Sequence, residues 1–229
     1  MNQLVHFVRE RRAPAKPRAG RPAAPRTNDP ARTMAGILEV ATAEFAGKGL
    51  SGARIDEIAA ATQTSKRMIY YYFGSKEGLY VAVLEEAYRR MRSIEAQLHL
   101  EDLTPEAALR RLVEFTFDHH LGNPDYIRLV MTENMERGAY LAHSKSIREL
   151  NVPAIEAIRK LYDRGVADGV FRPGLAPIDI HASISALTFF NVSNQHTFSL
   201  IFGDDAKAPE AVAARRRSIT EMIVRFVRA

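Results

Sequence analysis

The stretch SKRMIYYYFGSKEGLY, which begins at Ser65, interleaves basic and aromatic side chains. With Ser65 as the N-cap and ~100° of rotation per residue, Ile69, Tyr72 and Phe73 fall on one side of a short helix. The other side carries Lys66, Arg67, Tyr70 and Tyr71. Cationic ends pair with phosphates, and tyrosine rings can contact sugars, phosphates or base edges. The spacing predicts a helix that packs on one side and enters the DNA major groove with the other.

An ordinary amphipathic surface helix with solvated charges has the same pattern, so the preceding segment is needed to choose between the two. In ARIDEIAAATQT, Ile55, Ile58 and Ala59 recur at helical spacing and a polar break follows at 62–64. Two short helices joined by a three- or four-residue turn form a helix-turn-helix. The pair favours DNA binding over a surface helix.

A further helix precedes these two. Asp29 and Pro30 are a good N-cap and first-turn pair, and Gly47 and Gly49 are typical of a helix end. Between them the apolar residues Met34, Ile37, Leu38, Ala41 and Phe45 recur on one face. We therefore expect a three-helix unit over about residues 29–73.

The order AEFAGKGLSGARIDEIA, a turn, SKRMIYYYF and then SKEGLY resembles the TetR family of bacterial transcriptional regulators over about fifty residues. The resemblance implies an all-α fold, with an N-terminal three-helix helix-turn-helix headpiece followed by a helical bundle. It also implies a homodimer that binds a double-stranded DNA operator and is released by a small-molecule effector of unknown identity. The implied domains are residues 29–74 for DNA binding and residues 75–229 for effector binding and dimerisation.

The matching segment nominates nine DNA-binding residues: Arg54, Thr64, Ser65, Lys66, Arg67, Tyr70, Tyr71, Tyr72 and Lys76. We expect Lys66 and Lys76 to contact phosphates. The segment departs from the family at Gln63-Thr64, where a Gly-Val pair is usual, and at Arg67, where a small residue is usual. A non-glycine residue that adopts positive φ costs on the order of 1 kcal/mol. A guanidinium at position 67 can form a fork onto guanine O6 and N7.

The net charge of +5 is concentrated at the N-terminus. Residues 1–28 contain seven Lys or Arg residues and one Glu, which leaves −1 for residues 29–229. This segment is also rich in Pro and Ala, so we expect a disordered arm without a core. Such an arm either tracks phosphates or the minor groove, or is a solvated leader that raises only non-specific affinity.

The remaining chain has helical periodicity and no alternating strand pattern. Predicted helices cover about 75–100, 105–121, 124–140, 143–168, 177–202 and 209–227. The segment 177–202 is apolar on nearly all sides, which indicates burial on more than one side. In the family this position and the last helix form a four-helix dimer interface. The resemblance assigns to that interface Ile184, Phe190, Asn194, Phe198, Ile219, Ile223 and Phe226. Burial in a monomeric core is the alternative.

The helices of the second domain also supply aromatic and thioether side chains with few polar groups, a mixture typical of small-molecule pockets. The predicted pocket residues are Phe115, His119, Met131, Asn134, Met135, Phe189 and Asn191. Residues of these types are also common in packed cores. Whether these residues line a pocket or pack in the core depends on how each helix is rotated about its axis.

Other function classes lack support in the sequence. Residues 47–52 match GxGxxG, but a helix precedes them, so we interpret them as a helix connection rather than a dinucleotide site. The adjacent His119 and His120 lack the i, i+4 spacing of a two-histidine metal site. We expect no enzyme activity, no metal and no cofactor. No apolar run reaches the ~18 residues that span a membrane, so we expect a cytoplasmic protein.

Two hypotheses remain. The first is a ligand-responsive repressor that binds a palindromic operator as a symmetric dimer. The alternative is an effector-independent DNA-binding or architectural protein that uses the basic arm and has a filled C-terminal core.

Overall fold

The computed structural model describes residues 29–203 and 208–229, so the basic segment 1–28 lies outside the described residues. Within these ranges the chain forms ten α-helices and three 3-10 turns, and it contains no β-strand. The helices are α1 (Pro30–Gly52), α2 (Ile55–Ala61), α3 (Lys66–Phe73), α4 (Lys76–Glu95), α5 (Pro105–Gly122), α6 (Pro124–Met135), α7 (Lys145–Ala167), α8 (Pro177–Ser193), α9 (Gln195–Phe202) and α10 (Pro209–Val227). The predicted all-α fold is confirmed.

The first helix begins and breaks where its sequence predicts. Asp29 caps α1, because its side chain accepts hydrogen bonds from the backbone N–H groups of Ala31 and Arg32 at 3.1 and 3.3 Å. Gly49 interrupts the helix with φ 67°, a conformation that glycine adopts without a steric penalty. One further turn after this kink leads to Gly52 and then to α2.

An N-terminal core joins the first four helices to the second half of the chain. Its buried side chains are Ile37, Ala41, Phe45, Ala46, Ala53, Ile55, Ile58, Ala59, Ile69, Leu79, Tyr80, Val83, Leu84, Leu129 and Ile147. Leu129 belongs to α6 and Ile147 to α7. Burying such a side chain contributes about 1.5–3 kcal/mol. Residues 29–74 therefore do not close this core by themselves.

The joint between α3 and α4 is unusually close. Gly74 ends α3 with φ 75°, and Ser75 caps α4 by accepting a hydrogen bond from the N–H of Gly78 at 3.0 Å. A Cβ atom at position 78 would lie 2.1 Å from the backbone oxygen of Phe73. Only glycine fits at this position without displacing the backbone of α3.

A C-terminal core fills the space between α5, α7, α8 and α10. Its larger side chains are Leu109, Leu112, Val113, Phe117, Ile158, Leu161, Tyr162, Phe171, Ile180, Ile184, Ile219, Ile223, Val224 and Val227. Ion pairs on the surface also connect α10 to α5. The guanidinium of Arg216 donates to both carboxylate oxygens of Asp118 at 2.9 and 2.8 Å. Packing therefore determines the position of α10, and the exposed pairs add up to about 1 kcal/mol each.

Three predicted helix boundaries are wrong, each for a backbone reason. The helix predicted over 124–140 ends at Met135, since Arg137 and Gly138 adopt φ values of 58° and 71°. The helix predicted to reach residue 100 ends at Glu95, and His99 adopts φ 49° between two 3-10 turns. The segment 177–202 is two helices, because Asn194 leaves helical dihedrals at φ −107° and ψ 1°.

Replacing Gly78 by Ala tests the close joint. We expect Gly78→Ala to lower the free energy of unfolding by about 1–3 kcal/mol, because the new methyl group overlaps the carbonyl of Phe73. Gly36→Ala in α1 is the matched control, since its Cβ would meet no atom within 4 Å. That control should gain about 0.5–1 kcal/mol through helix propensity. Urea unfolding midpoints measure both effects, and a neutral Gly78→Ala would contradict the joint.

Candidate nucleic-acid interface and buried polar cluster

The helix α3 presents one face to solvent and packs the other on the N-terminal core. Ser65 caps it by accepting a hydrogen bond from the N–H of Met68 at 3.2 Å. Ile69 is fully buried. Tyr72 and Phe73 are half-buried and pack against the same core. The predicted packing side of this helix is confirmed.

The opposite face of α3 carries four exposed side chains, Lys66, Arg67, Tyr70 and Tyr71, and we call the last three the reading face. Tyr71 exposes 77% of its surface and Tyr70 exposes 43%. Adjacent exposed aromatic side chains on one helix face indicate a candidate contact surface. The reading face offers one guanidinium fork and two phenol groups to a partner.

The turn before α3 is a Schellman motif with an unusual residue. The N–H of Thr64 donates to the carbonyl of Ala59 at 3.0 Å, and the N–H of Gln63 donates to that of Ala60 at 3.2 Å. Gln63 occupies the left-handed position of this motif with φ 52°. Thr64 is half-buried in the turn.

Both lysines expected at phosphates have protein partners in this structure. Lys66 forms an ion pair with Asp56 of α2, and the two side chains are about half exposed. The Nζ of Lys76 donates to the carbonyl of Ser51 at 3.3 Å. Each lysine would exchange a protein oxygen for a phosphate oxygen upon binding DNA.

Arg54 lies just before α2, in the short connection that follows α1. Its N–H donates to the Oε1 atom of Glu44 at 3.0 Å, and its side chain is exposed. This hydrogen bond and one from Lys48 lower the pKa of Glu44 against the opposing effect of burial. The predicted contacts of Arg54, Thr64 and Tyr72 with DNA stay predictions.

A second site lies in the body of the chain, where four helices bring polar and aromatic groups together. We call it the buried polar cluster. It consists of Tyr88 and Arg92 of α4, His119 and His120 of α5, Tyr126 of α6, and His181 and Phe189 of α8.

The rings of this cluster are packed around Tyr126. Its ring stacks on that of His120, with centroids 5.9 Å apart and planes inclined by 19°. The rings of His119 and Tyr88 meet it edge-on at 5.5 and 5.6 Å. The ring of Phe189 lies 6.0 Å from His120. Phe115 lies against His119 at 5.8 Å.

Arg92 supplies the positive charge of the cluster. It is largely buried and forms an ion pair with Glu95 one turn later on α4. Its Nε donates to the Oδ1 of Asn151 in α7 at 3.0 Å. Within the described part of the chain its Nη2 makes no hydrogen bond. Two of the three guanidinium nitrogens are therefore occupied and one is not.

The three histidines of the cluster are neutral at pH 7. Burial lowers the pKa of His119, and it lowers the pKa of His120 and of His181 to about 4. The charge of Arg92 contributes to all three shifts. Burial also raises the pKa of Tyr88 and of Tyr126. In the free protein, the ion pair is the only ionised part of the cluster.

Two imidazole nitrogens in the cluster have no hydrogen-bond partner. The Nδ1 atoms of His119 and His120 are buried, and neither contacts a donor or an acceptor in the described residues. Leaving a buried polar atom unsatisfied costs about 1–3 kcal/mol. Folded proteins leave few such atoms, so a pair of them in one cluster is a candidate binding site.

Three of the predicted pocket residues, Phe115, His119 and Phe189, border or belong to this cluster. Met131 is half-buried in α6. The prediction is wrong for Asn134 and Met135, which lie on the surface, Met135 with 80% of its area exposed. Asn191 lines a separate small pocket next to Phe190 and Phe198.

The sequence-based prediction missed the residues that carry the charge of this cluster. Arg92 and Glu95 lie in the helix predicted over about 75–100, where alternating charges are typical of a solvated face. His181 lies near the start of an all-apolar helix.

The predicted dimer residues divide into two groups. Ile184, Ile219 and Ile223 are buried in the C-terminal core of a single chain, so their assignment to an interface is wrong. Phe190 and Phe226 are exposed, while Asn194 and Phe198 are half-buried. The prediction also left out Leu200 and Phe202 of α9, which expose 86% and 67% of their surface.

One other group of side chains could hold a metal ion. Among the described residues, the ligand atoms of His99, Glu101 and Asp102 lie within 4.8 Å of one another. All three are exposed, as solvated surface groups commonly are. In the same part of the chain, no helix has the length and apolar character of a membrane span.

Comparison with known proteins covers most of the chain. Residues 37–83 match the model for bacterial regulatory proteins of the tetR family, and residues 105–223 match a tetracyclin repressor-like C-terminal domain. The HTH-type transcriptional repressor NicS of Pseudomonas putida is 35% identical over 197 residues, covering 86% of this chain and 93% of NicS.

Two further comparisons agree. The HTH-type transcriptional repressor SCO4008 of Streptomyces coelicolor is 37% identical over 149 residues, covering 64% of this chain and 74% of that protein. A tetR-family regulatory protein from Rhodococcus RHA1 has a similar fold, with a TM-score of 0.68, 18% identity, and coverage of 86% of this chain and 98% of that one.

The strained turn yields a direct stability test. Replacing Gln63 by Gly should raise the free energy of unfolding by about 1 kcal/mol, because glycine adopts φ 52° without the Cβ clash. Gln97→Gly, in a 3-10 turn without positive φ, should lower it instead. Thermal unfolding of both variants measures the difference. A destabilised Gln63→Gly would show that its side chain, rather than its backbone, holds the turn.

Proposed function

Since the chain belongs to the TetR family of bacterial transcriptional regulators, we propose that it binds a palindromic operator as a homodimer and that a small molecule releases it. Residues 29–74 would bind DNA, and residues 75–229 would bind the effector and dimerise. The protein would act in the cytoplasm, where bacterial operators lie. The observation that carries the proposal is the reading face, which is held out of the N-terminal core.

The reading face supplies base recognition in this proposal. A guanidinium reads guanine O6 and N7 through two parallel hydrogen bonds, so Arg67 is the residue best suited to discriminate bases. Tyr70 flanks it on the same face. Lys66 and Lys76 would pair with phosphates, which fixes register without reading sequence.

An exposed apolar surface on α8, α9 and α10 supports the homodimer. It contains Phe190, Leu200, Ile201, Phe202, Met222 and Phe226. Apolar patches of this kind on soluble proteins mark contact surfaces. In a two-fold dimer each patch faces its own copy, and the two reading helices then address half-sites about 34 Å apart.

The buried polar cluster supports effector binding. Its two unpaired imidazole nitrogens are buried polar atoms among aromatic rings. Ligand sites combine apolar walls with a few converging polar groups in this way. A ligand that prefers the DNA-incompatible conformation 100-fold would supply about 2.7 kcal/mol of coupling.

Two substitutions in α3 should act differently on DNA. Arg67→Ala should lose preference at one base position by about 1–3 kcal/mol in a selection from random DNA. Lys66→Ala should weaken all sequences alike and lower the slope of affinity against salt by about one charge. Lys160→Ala, on the exposed side of α7, is the control. An unchanged ranking of sequences for Arg67→Ala would exclude base reading by that residue.

The apolar surface yields a test of the dimer. Leu200→Glu should convert the dimer to monomers in sedimentation, because the 86% exposed side chain would be buried twice at a two-fold interface. Val152→Glu on α7, another exposed apolar position, should leave the dimer intact. A monomeric variant should also lose most of its operator affinity. A Leu200→Glu protein that remains dimeric would exclude this surface.

A repressor of this kind must respond to a ligand, and that response separates the proposal from an effector-independent DNA-binding protein. Thermal stability measured against a metabolite library identifies binders, and operator affinity measured with each binder gives the response. A binder that leaves operator affinity unchanged would favour the effector-independent alternative.

A further inference from the structure

The connection from α1 to α2 starts at a glycine that breaks the first helix. Gly49 adopts φ 67° and ψ 174°, a combination that residues with side chains rarely adopt. Burial of Ala53 and Ile55 anchors the chain after this break in the N-terminal core. Arg54 lies between them and is exposed. Apolar packing thus holds the neighbours of Arg54 but leaves Arg54 itself to polar contacts.

Glu44 supplies the polar contact that reaches Arg54 from α1. It lies shortly before the break at Gly49, and its side chain exposes only 13% of its surface. The Oε1 atom of Glu44 accepts a hydrogen bond from the backbone N–H of Arg54 at 3.0 Å. Arg54 is the N-cap residue of α2, and its own side chain makes no capping hydrogen bond. The start of α2 is therefore tied to α1 through one carboxylate.

Lys48 joins the same carboxylate to α2 by a second path. Its ammonium group donates to Oε1 of Glu44 at 2.9 Å and forms an ion pair with Glu57. Glu57 is the third residue of α2, a position from which a glutamate often reaches back to the N-cap N–H. Here Glu44 binds that N–H, and Glu57 pairs with Lys48 instead. The capping contact of α2 therefore comes from another helix.

The guanidinium of Arg54 is available to a partner. Within residues 29–203 and 208–229 it forms no ion pair and no side-chain hydrogen bond. An exposed arginine at the start of a helix-turn-helix suits a phosphate, which fixes the protein on the duplex without reading its sequence. The backbone of Arg54 determines where this side chain leaves the surface. Glu44 holds that backbone but has little surface of its own to offer to DNA.

From these contacts we infer that Glu44 is a positioning residue for DNA binding: it fixes the N-cap residue of α2 so that the guanidinium of Arg54 meets a phosphate. The inference rests on the proposed function, because it concerns operator binding. Its consequence is that a largely covered carboxylate on α1 controls operator affinity through one other residue.

A double-mutant cycle on operator affinity tests this coupling in the full-length protein. Glu44→Ala removes the acceptor, and we expect it to weaken operator binding about tenfold. Arg54→Ala removes the guanidinium, so it should weaken binding by a similar factor and lower the slope of affinity against salt by about one charge. In the Arg54→Ala background, Glu44→Ala should change operator affinity less than about twofold. Two independent contacts would instead multiply their effects.

Two further variants separate the position of Arg54 from the stability of the fold. Glu44→Gln keeps an oxygen acceptor for the N–H of Arg54, so it should retain operator affinity to within about threefold. Glu39→Ala removes an exposed glutamate from the same helix and is the matched control, which should leave operator affinity unchanged. Urea unfolding establishes that each variant is folded. Glu44→Met, which is larger and also lacks the acceptor, replaces Glu44→Ala in the cycle if Glu44→Ala does not fold.

Hydrogen exchange measures the contact between Glu44 and Arg54 without DNA. The amide of Arg54 should exchange at least about tenfold faster in Glu44→Ala than in the unmodified protein. In Glu44→Gln it should exchange at nearly the unmodified rate, because the acceptor oxygen is retained. A role confined to overall stability would speed the exchange of the other amides of α2 equally.

Three results would overturn the inference. They are independent effects of Glu44→Ala and Arg54→Ala on operator affinity, unaltered operator affinity in a folded Glu44→Ala protein, and unaltered exchange of the Arg54 amide in that variant. Each of them leaves the proposed function in place, because the unmodified protein still binds its operator. If the unmodified protein binds no DNA, the proposed function fails and this inference fails with it.

Discussion

The packing of Tyr80 is the constraint on which the two halves of this molecule depend. Its ring is fully buried in α4, with edge contacts to Phe45 of α1 at 5.1 Å and to Tyr140 at 5.3 Å. Burial, together with the charge of the buried Glu133, raises the pKa of its hydroxyl. Glu133 in turn accepts a hydrogen bond from the N–H of Leu141 at 3.0 Å. The ring of Tyr80 in α4 therefore joins α1 to the connection between α6 and α7.

This constraint explains how an eight-residue helix can present a binding face. An isolated helix as short as α3 is unstable in water, and Ile69 is the only side chain it buries completely. Its orientation therefore comes from its neighbours: the Schellman turn that follows α2, and the close joint to α4 at Gly78. Those neighbours are themselves packed on the core that Tyr80 completes. A change in the body can reach the reading face through packed side chains.

Local sequence patterns were sufficient to predict the structure of residues 29–74 but not that of residues 75–229. Caps such as Asp29 and Ser65, and the positive φ of Gln63, depend on near neighbours in sequence, so they could be predicted. The buried face of α8 could not be predicted, because this helix is apolar on nearly all sides. Ile184 and Phe190 lie on different faces of α8, and its packing against α5, α7 and α10 buries Ile184 and leaves Phe190 exposed. The burial of the Arg92–Glu95 pair could not be predicted either, because the groups that cover it are distant in sequence, as is Asn151, which accepts a hydrogen bond from Arg92.

The length of α4 determines how far a tilt of this helix displaces the close joint at Gly78. With 20 residues this helix spans about 30 Å, from the joint with α3 at one end to Arg92 and Glu95 at the other. If the helix tilted by about 5° at its Arg92 end, its other end would move by roughly 2.6 Å over this length. The rise of one base pair along DNA is about 3.4 Å. A tilt of this size would therefore displace the reading face by most of a base-pair step.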